Sequence, residues 1–169
     1  MTAPETLPAL HGTATVALPA DRAFALFTGS MARWWPASHH IGESEMADLV
    51  IEPRVGGRWY EVGTDGAECD WGHVLVWEPP GRLVLTWQID GRWTYDPDRA
   101  SEVEIRFTQD APEQTTVTLE HRLLERLTDG RSLSDEISAG DGGWNGVLAR
   151  FAGWTAGRAD AADRTPAAG

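Results

Sequence analysis

The sequence predicts an α+β fold: a curved antiparallel β-sheet wrapped around one long C-terminal helix, with two short helices after the first strand. Three observations predict it. Apolar and polar residues alternate with period two in short segments separated by turn signals, as in hairpin-linked strands with one wet face. One apolar stripe, Trp144, Val147, Leu148, Phe151 and Trp154, is spaced three, one, three and three, which puts all five on one side of a helix. The length, 169 residues, suits a single domain with a real core.

The elements follow in order. Ala14, Val16 and Leu18 alternate with polar neighbours in a first strand over 13–18. Pro19-Ala20-Asp21 opens a short helix with Ala23, Phe24, Leu26 and Phe27 on its apolar side, and Gly29 stops it. Residues 31–35 form another helical turn before Pro36. Leu49-Val50-Ile51 is a strand, and Gly56-Gly57 reverses the chain into Arg58 to Val62. Thr64-Asp65-Gly66 leads into a strand over 68–77, where Gly72 marks a bulge. Pro79-Pro80-Gly81 breaks the chain, and 83–89 is the next strand. After a loop over 90–99, Val103, Ile105 and Phe107 alternate with Glu102, Glu104 and Arg106, and after the turn at Ala111-Pro112-Glu113, Val117, Leu119 and His121 alternate with Thr116, Thr118 and Glu120. The closing helix is expected over about 141–156 with Asp141 as N-cap. Buried against the apolar face of the sheet, such a helix leaves a cavity between them. Residues 1–10 are expected to be loose, 11–156 to form the domain, and 157–169, which lack large apolar residues, to be a disordered tail.

Certain strings carry a family resemblance. They are Ala20-Asp21-Arg22-Ala23-Phe24 leading to Trp34-Trp35-Pro36; Glu52-Pro53-Arg54-Val55-Gly56-Gly57-Arg58-Trp59; and Trp71-Gly72-His73-Val74-Leu75-Val76-Trp77-Glu78-Pro79-Pro80. Arg82-Leu83-Val84-Leu85-Thr86-Trp87, Thr116-Val117-Thr118-Leu119-Glu120-His121 and Gly143-Trp144 complete the set. Together they resemble the START-like, helix-grip superfamily (SRPBCC). Within it, the chain is similar to bacterial proteins related to the C-terminal domain of the heat-shock-protein-ninety ATPase activator. The resemblance spans about residues 11–156. It implies a helix-grip fold with an internal cavity for a hydrophobic small molecule. It implies little about a reaction, because the superfamily mixes carriers, sensors and cyclases.

Composition excludes several functions. The net charge is −12, from 14 basic and 26 acidic residues, which argues against nucleic acid and anionic membrane surfaces. Every basic residue is Arg, so Schiff-base chemistry and a Walker-A lysine are absent. The single cysteine, Cys69, rules out intrachain disulfides and Cys-x-x-Cys motifs and suits a reducing cytoplasm. No apolar run approaches the roughly 20 residues of a membrane helix, and the N-terminus lacks signal-peptide features.

The candidate chemistry is sparse. His121 shares strand parity with Val117 and Leu119 and is expected to face the cavity, as a ligand contact or an acid/base. A structural histidine is the alternative, since no partner base is evident in the sequence. His39-His40 with Glu43 and Glu45 lacks metal-ligand spacing, so 38–46 reads as a mobile loop beside the cavity mouth and no metal is expected. Cys69 and His73 lie too far apart along an extended strand to form a thiol–imidazole pair, and the parity of His73 is left open. Gly140, Gly142 and Gly143 precede the last helix, but Asp141 opposes an anion there, so no nucleotide or other cofactor is expected. Nine Trp in so small a domain are core, cavity wall or both. Trp35, Trp87, His121, Trp144 and Phe151 are the expected ligand-binding set, whereas Trp93 sits in the 90–99 loop, away from it.

The reading is a cytoplasmic protein that binds an apolar or aromatic small molecule as a carrier or sensor. The alternatives are a cyclase or dehydratase resembling polyketide aromatases, with His121 moving a proton, and an interaction domain resembling the chaperone activator. A protein partner or homodimer is left open.

Overall fold

The computed structural model describes residues 6–139 and 142–164, with side chains through residue 157. Seven strands form one antiparallel sheet: β1 (Leu10–Val16), β2 (Met46–Ile51), β3 (Arg58–Gly63), β4 (Glu68–Glu78), β5 (Arg82–Trp87), β6 (Ser101–Ala111) and β7 (Gln114–Arg122). β2 to β7 run as a meander, and β1 closes beside β7, giving the order β1-β7-β6-β5-β4-β3-β2. Helices α1 (Ala20–Gly29) and α2 (Met31–Trp34) lie between β1 and β2, and α3 (Gly130–Ala139) precedes α4 (Gly143–Arg164). This is the expected helix-grip architecture, with α4 lying against the concave face and β1.

Local sequence accounts for the start of α1 and for two close approaches within the fold. The carbonyl of Pro19 accepts the first helical bond of α1, from the Ala23 N–H at 3.0 Å. β4 pairs with β3 through a register shift that leaves Trp71 as the extra residue between Asp70 and Gly72. A Cβ on Gly72 would stand 2.0 Å from the Thr86 carbonyl oxygen, so only glycine allows this bulge to press against β5. Gly12 of β1 plays the same part for α4, since a Cβ there would lie 2.8–3.0 Å from the backbone and Cβ of Trp144.

Two expectations change. The segment after β7 is not a plain approach to the last helix: it forms a short 3-10 turn, Leu124–Arg126, and then α3. α4 continues to Arg164, eight residues past the expected end at 156. Asp141, the expected N-cap, and the outermost residues of both termini lie outside the described residues.

The core is a continuous aromatic contact. Phe24 meets Trp77 and Phe107 edge-on at 5.0 and 5.2 Å, and Phe27 meets Trp34 and Phe151 at 4.7 and 5.2 Å. The α4 stripe buries Trp144, Val147, Leu148 and Phe151, while Trp154 is half-buried. The Arg150 guanidinium donates to the Trp34 carbonyl at 3.2 Å, tying α4 to α2.

The convex face carries an Arg–Glu ladder centred on Glu104 of β6, which meets Arg82, Arg106 and Arg122 at 2.7, 2.8 and 2.6 Å. Burial raises the Glu104 pKa, but hydrogen bonds from Arg82 and Arg122 and the nearby Arg106 charge outweigh it, and the carboxyl is held at about 2.

Two stability predictions follow from packing and from this ladder. Phe151→Ala removes a fully buried ring and should cost about 3–5 kcal/mol in chemical denaturation. Because the Glu104 pKa is depressed in the fold, its contribution is complete above its ordinary value near 4.5 and fades as the pH falls towards 2. Its loss should lower stability by up to about 3 kcal/mol across that window. Acid titrations of Glu104→Gln, which lacks this step, check it.

Candidate functional site

Between the N-terminal turns of α4 and the sheet lies a cavity of about 320 Å³. Its wall holds five indoles: Trp35 after α2, Trp71 of the β4 bulge, Trp87 of β5, Trp93 of the loop after β5, and Trp144 of α4. Trp35, Trp71, Trp87 and Trp144 meet one another at centroid separations between 5.4 and 6.2 Å. Ile41, Ile89, Ile137 and Val147 complete the apolar lining, and Ser38, His39, His40 and Glu136 supply its polar side chains. Trp93 is the exposed member, at 42%, and stands at the rim.

Each of these indole N–H groups donates to protein. Trp35 donates to the His39 carbonyl at 2.9 Å, Trp71 to Glu61 Oε1 at 2.9 Å, Trp87 to the Ile89 carbonyl at 2.8 Å and Trp93 to Glu136 Oε2 at 2.5 Å. Trp144 donates to His121 Nδ1 at 3.3 Å. The rings are therefore fixed plates that offer a ligand π faces and edges. Trp93 also holds a left-handed backbone, φ 58°, in a turn where Asp90 Oδ1 accepts the Arg92 and Thr94 N–H groups.

Of the expected binding residues, Trp35, Trp87 and Trp144 are brought together at the cavity, while His121 and Phe151 are not. Phe151 is fully buried one helical repeat deeper, against Phe27 and Trp34. His121 is fully buried behind the wall. Its Nδ1 accepts from Trp144, its Nε2 lies 2.9 Å from Ser101 Oγ, and that hydroxyl donates to the Trp87 carbonyl. The chain is consistent only with a neutral ring protonated at Nε2. Burial drives its pKa down to about 3. His121 thus positions two wall indoles rather than meeting a ligand. Strand parity pointed it inward correctly, but the depth of the wall in front of it is not a property of the strand.

Trp93 corrects the opposite expectation: the 90–99 loop folds back over the cavity rather than away from it. The loop over 38–46, expected to be mobile, is tied to β3 at Ile41 and Gly42. The buried Glu61 carboxylate accepts the Ile41 N–H at 2.6 Å and the Gly42 N–H at 3.2 Å, besides the Trp71 indole. Glu61 shares the buried parity of Trp59 on β3, a signal present in the sequence. His73 lies on the other face of the sheet, with Nδ1 3.0 Å from Gln88 Oε1. Cys69 is half-buried, its thiol pKa raised by burial and by the charge of Glu61. Among the described residues no cluster of three or more His, Cys, Asp or Glu side chains is placed to hold a metal ion, and no helix is long and apolar enough to cross a membrane.

Residues 17–155 match the family model described as Activator of Hsp90 ATPase homolog 1-like protein. The chain belongs to this family. Solved structures similar to this Hsp90-activator-like chain include an anthrahydroquino-gamma-pyrone synthase, Txn09, complexed with SUM. The two are 40% identical over 89% of this chain and 99% of that one, with a TM-score of 0.63. CalC from Micromonospora echinospora, a self-sacrificing resistance protein, is 26% identical over 89% of this chain and 96% of that one, with a TM-score of 0.65. CalU16 from the same organism shares the fold, at 21% identity, 96% and 83% coverage and a TM-score of 0.55. No curated protein matches the chain.

The His121 network makes a prediction about acid. Its folded pKa lies below the ordinary value of 6.5, so its contribution is complete above 6.5 and declines as the pH falls towards about 3. Between pH 6.5 and 5 the protein should lose about 2 kcal/mol of stability through this group. His121→Gln should be less stable at neutral pH but flat across that interval in thermal or denaturant unfolding.

Proposed function

We propose that this protein binds a planar polycyclic aromatic phenol in the Trp-walled cavity and closes an oxygen-containing ring on it, as a cyclase of aromatic polyketides. The observation that supports this most is the near full-length likeness to a pyrone-forming synthase, joined to a wall of five fixed indoles. A cavity of about 320 Å³ falls at the small end of ligand sites, roughly 300–1,000 Å³, and fits a few fused rings better than a long flexible chain. Stacking and edge contacts on indoles favour flat, electron-poor rings such as quinones.

The reaction class is a cyclodehydration. A phenolic oxygen bonds to a carbonyl carbon of a neighbouring 1,3-diketone, the phenol proton is taken up, and the resulting hydroxyl leaves as water while a C–H proton is lost. No electrons are exchanged, so neither a redox cofactor nor a metal is required by the balance. The wall contributes by holding the side chain in the folded, near-attack shape and by excluding bulk water.

Incubation with a phenolic aryl 1,3-diketone should give a product lighter by one water, detected by mass spectrometry, at a rate above the protein-free control. Tight binding of both diketone and hydroxyquinone with no conversion would instead assign the protein to the carriers and sensors.

Binding itself is checked by quenching of Trp emission on titration with 2-hydroxyanthraquinone. Trp93→Ala, at the exposed rim, should weaken binding by about 1–2 kcal/mol, roughly tenfold. Trp77→Ala, on the far side of the core beside Phe24, should leave the affinity unchanged.

A further inference from the structure

We propose that His40, oriented by the buried carboxylate of Glu61, is the proton acceptor of the cavity, and that the ligand it serves carries an acidic phenol or enol hydroxyl. The proposal rests on the aromatic-ligand reading above and adds to it the group that takes the proton.

The geometry comes from four residues. His40 lines the cavity, and its side chain is 21% exposed. Its Nδ1 is buried, makes no hydrogen bond and stands 3.6 Å from Glu61 Oε2. Glu61 Oε1 already accepts the Ile41 N–H and the Trp71 indole, while Oε2 accepts only the longer contact from Gly42. A carboxylate has about four acceptor positions, so Oε2 keeps capacity facing the imidazole. An unmade hydrogen bond between two buried groups is costly, and a shift of a few tenths of an ångström closes it. Such bonds are often long before ligand arrives. With Nδ1–H committed to Glu61, the lone pair of the ring falls on Nε2, the nitrogen remote from the carboxylate.

Two other titratable groups near the cavity are less suited. His121 has both nitrogens engaged and no exposure. Glu136 holds the Trp93 indole and, as an anion, disfavours a phenolate. Among the described residues no Arg lines the cavity, so a protonated imidazole is the cation its lining can offer a bound oxyanion, and His40 is the one set against Glu61. The titratable groups around His40 are Glu61 of β3, the Cys69 thiol of β4 beside Glu61, the adjoining His39, and Glu136 across the cavity. The step balances as a proton transfer: the ligand O–H proton moves to Nε2, leaving an oxyanion beside an imidazolium whose other N–H faces Glu61. That oxyanion is the nucleophile the cyclodehydration needs.

The test uses 2-hydroxyanthraquinone, whose visible absorption changes when its phenol ionises, with the intact protein. Trp emission reports binding and absorbance reports ionisation, so the two are read separately across pH. The bound dye should ionise at a pH about one unit lower in the native protein than in His40→Gln, a tenfold change in acidity. His40→Asn, which keeps a donor towards Glu61 but lacks Nε2, should behave like His40→Gln. Glu61→Gln should shift ionisation the same way to a smaller extent. Dye that binds the folded His40 variants and ionises as in the native protein overturns the assignment of His40. Dye that fails to quench the native protein at all overturns the aromatic-ligand reading, and this proposal with it.

Discussion

An indole is a large apolar plate with one polar atom, and the need to satisfy that atom shapes everything around the cavity. The five wall tryptophans each find an acceptor, and the acceptors come from five different places in the fold: the His39 carbonyl, the Glu61 carboxylate, the Ile89 carbonyl, Glu136 of α3 and His121 of β7. Trp34 and Trp59, buried behind the wall, have Nε1 atoms with no hydrogen-bond partner among the described residues. Burying an N–H unpaired costs about 1–3 kcal/mol, offset at those two sites by the large apolar area each ring removes from water. The contrast separates tryptophans that support the wall by packing alone from those that also tie it to the backbone or to side chains.

Polar groups are placed with the same economy. Glu61 and His121 are both fully buried, yet neither is an isolated charge: one collects three N–H donors, and the other stays neutral in a relay through Ser101. Glu61 organises the cavity from the loop side and His121 from the helix side. The relay survives only while His121 is neutral, so the same bond that aligns Trp144 and Trp87 is the one acid removes first. The acidic surface ladder around Glu104 acts lower on the pH scale and on the opposite face of the sheet.

Most of the architecture was legible because its signals are local. Alternation in Val103–Phe107 and Val117–His121, the breaker Pro79-Pro80-Gly81 and the stripe from Trp144 each report on their own element. α3 was missed because its apolar positions reduce to Leu133 and Ile137, one turn apart among polar residues, too thin a stripe to read. At the site, Trp35, Trp87 and Trp144 were legible as large apolar residues at inward positions. Trp93 was not, since its place depends on a turn built by Asp90 with a left-handed residue at its centre. The depth of His121 and the convergence of His40 on Glu61 depend on how segments 20 or more residues apart meet, a loop on β3 in one case and β6 and α4 on β7 in the other, which no single segment records.

Gly12 shows how a residue outside the cavity fixes its width. It never touches the cavity, yet its bare Cα lets β1 lie directly under the first turn of α4 at Trp144. A side chain at that position must lift the start of the helix, and the wall it carries, away from the sheet. The width of the cavity is therefore set in part by a strand on the outer edge of the sheet, at a position that does not line it.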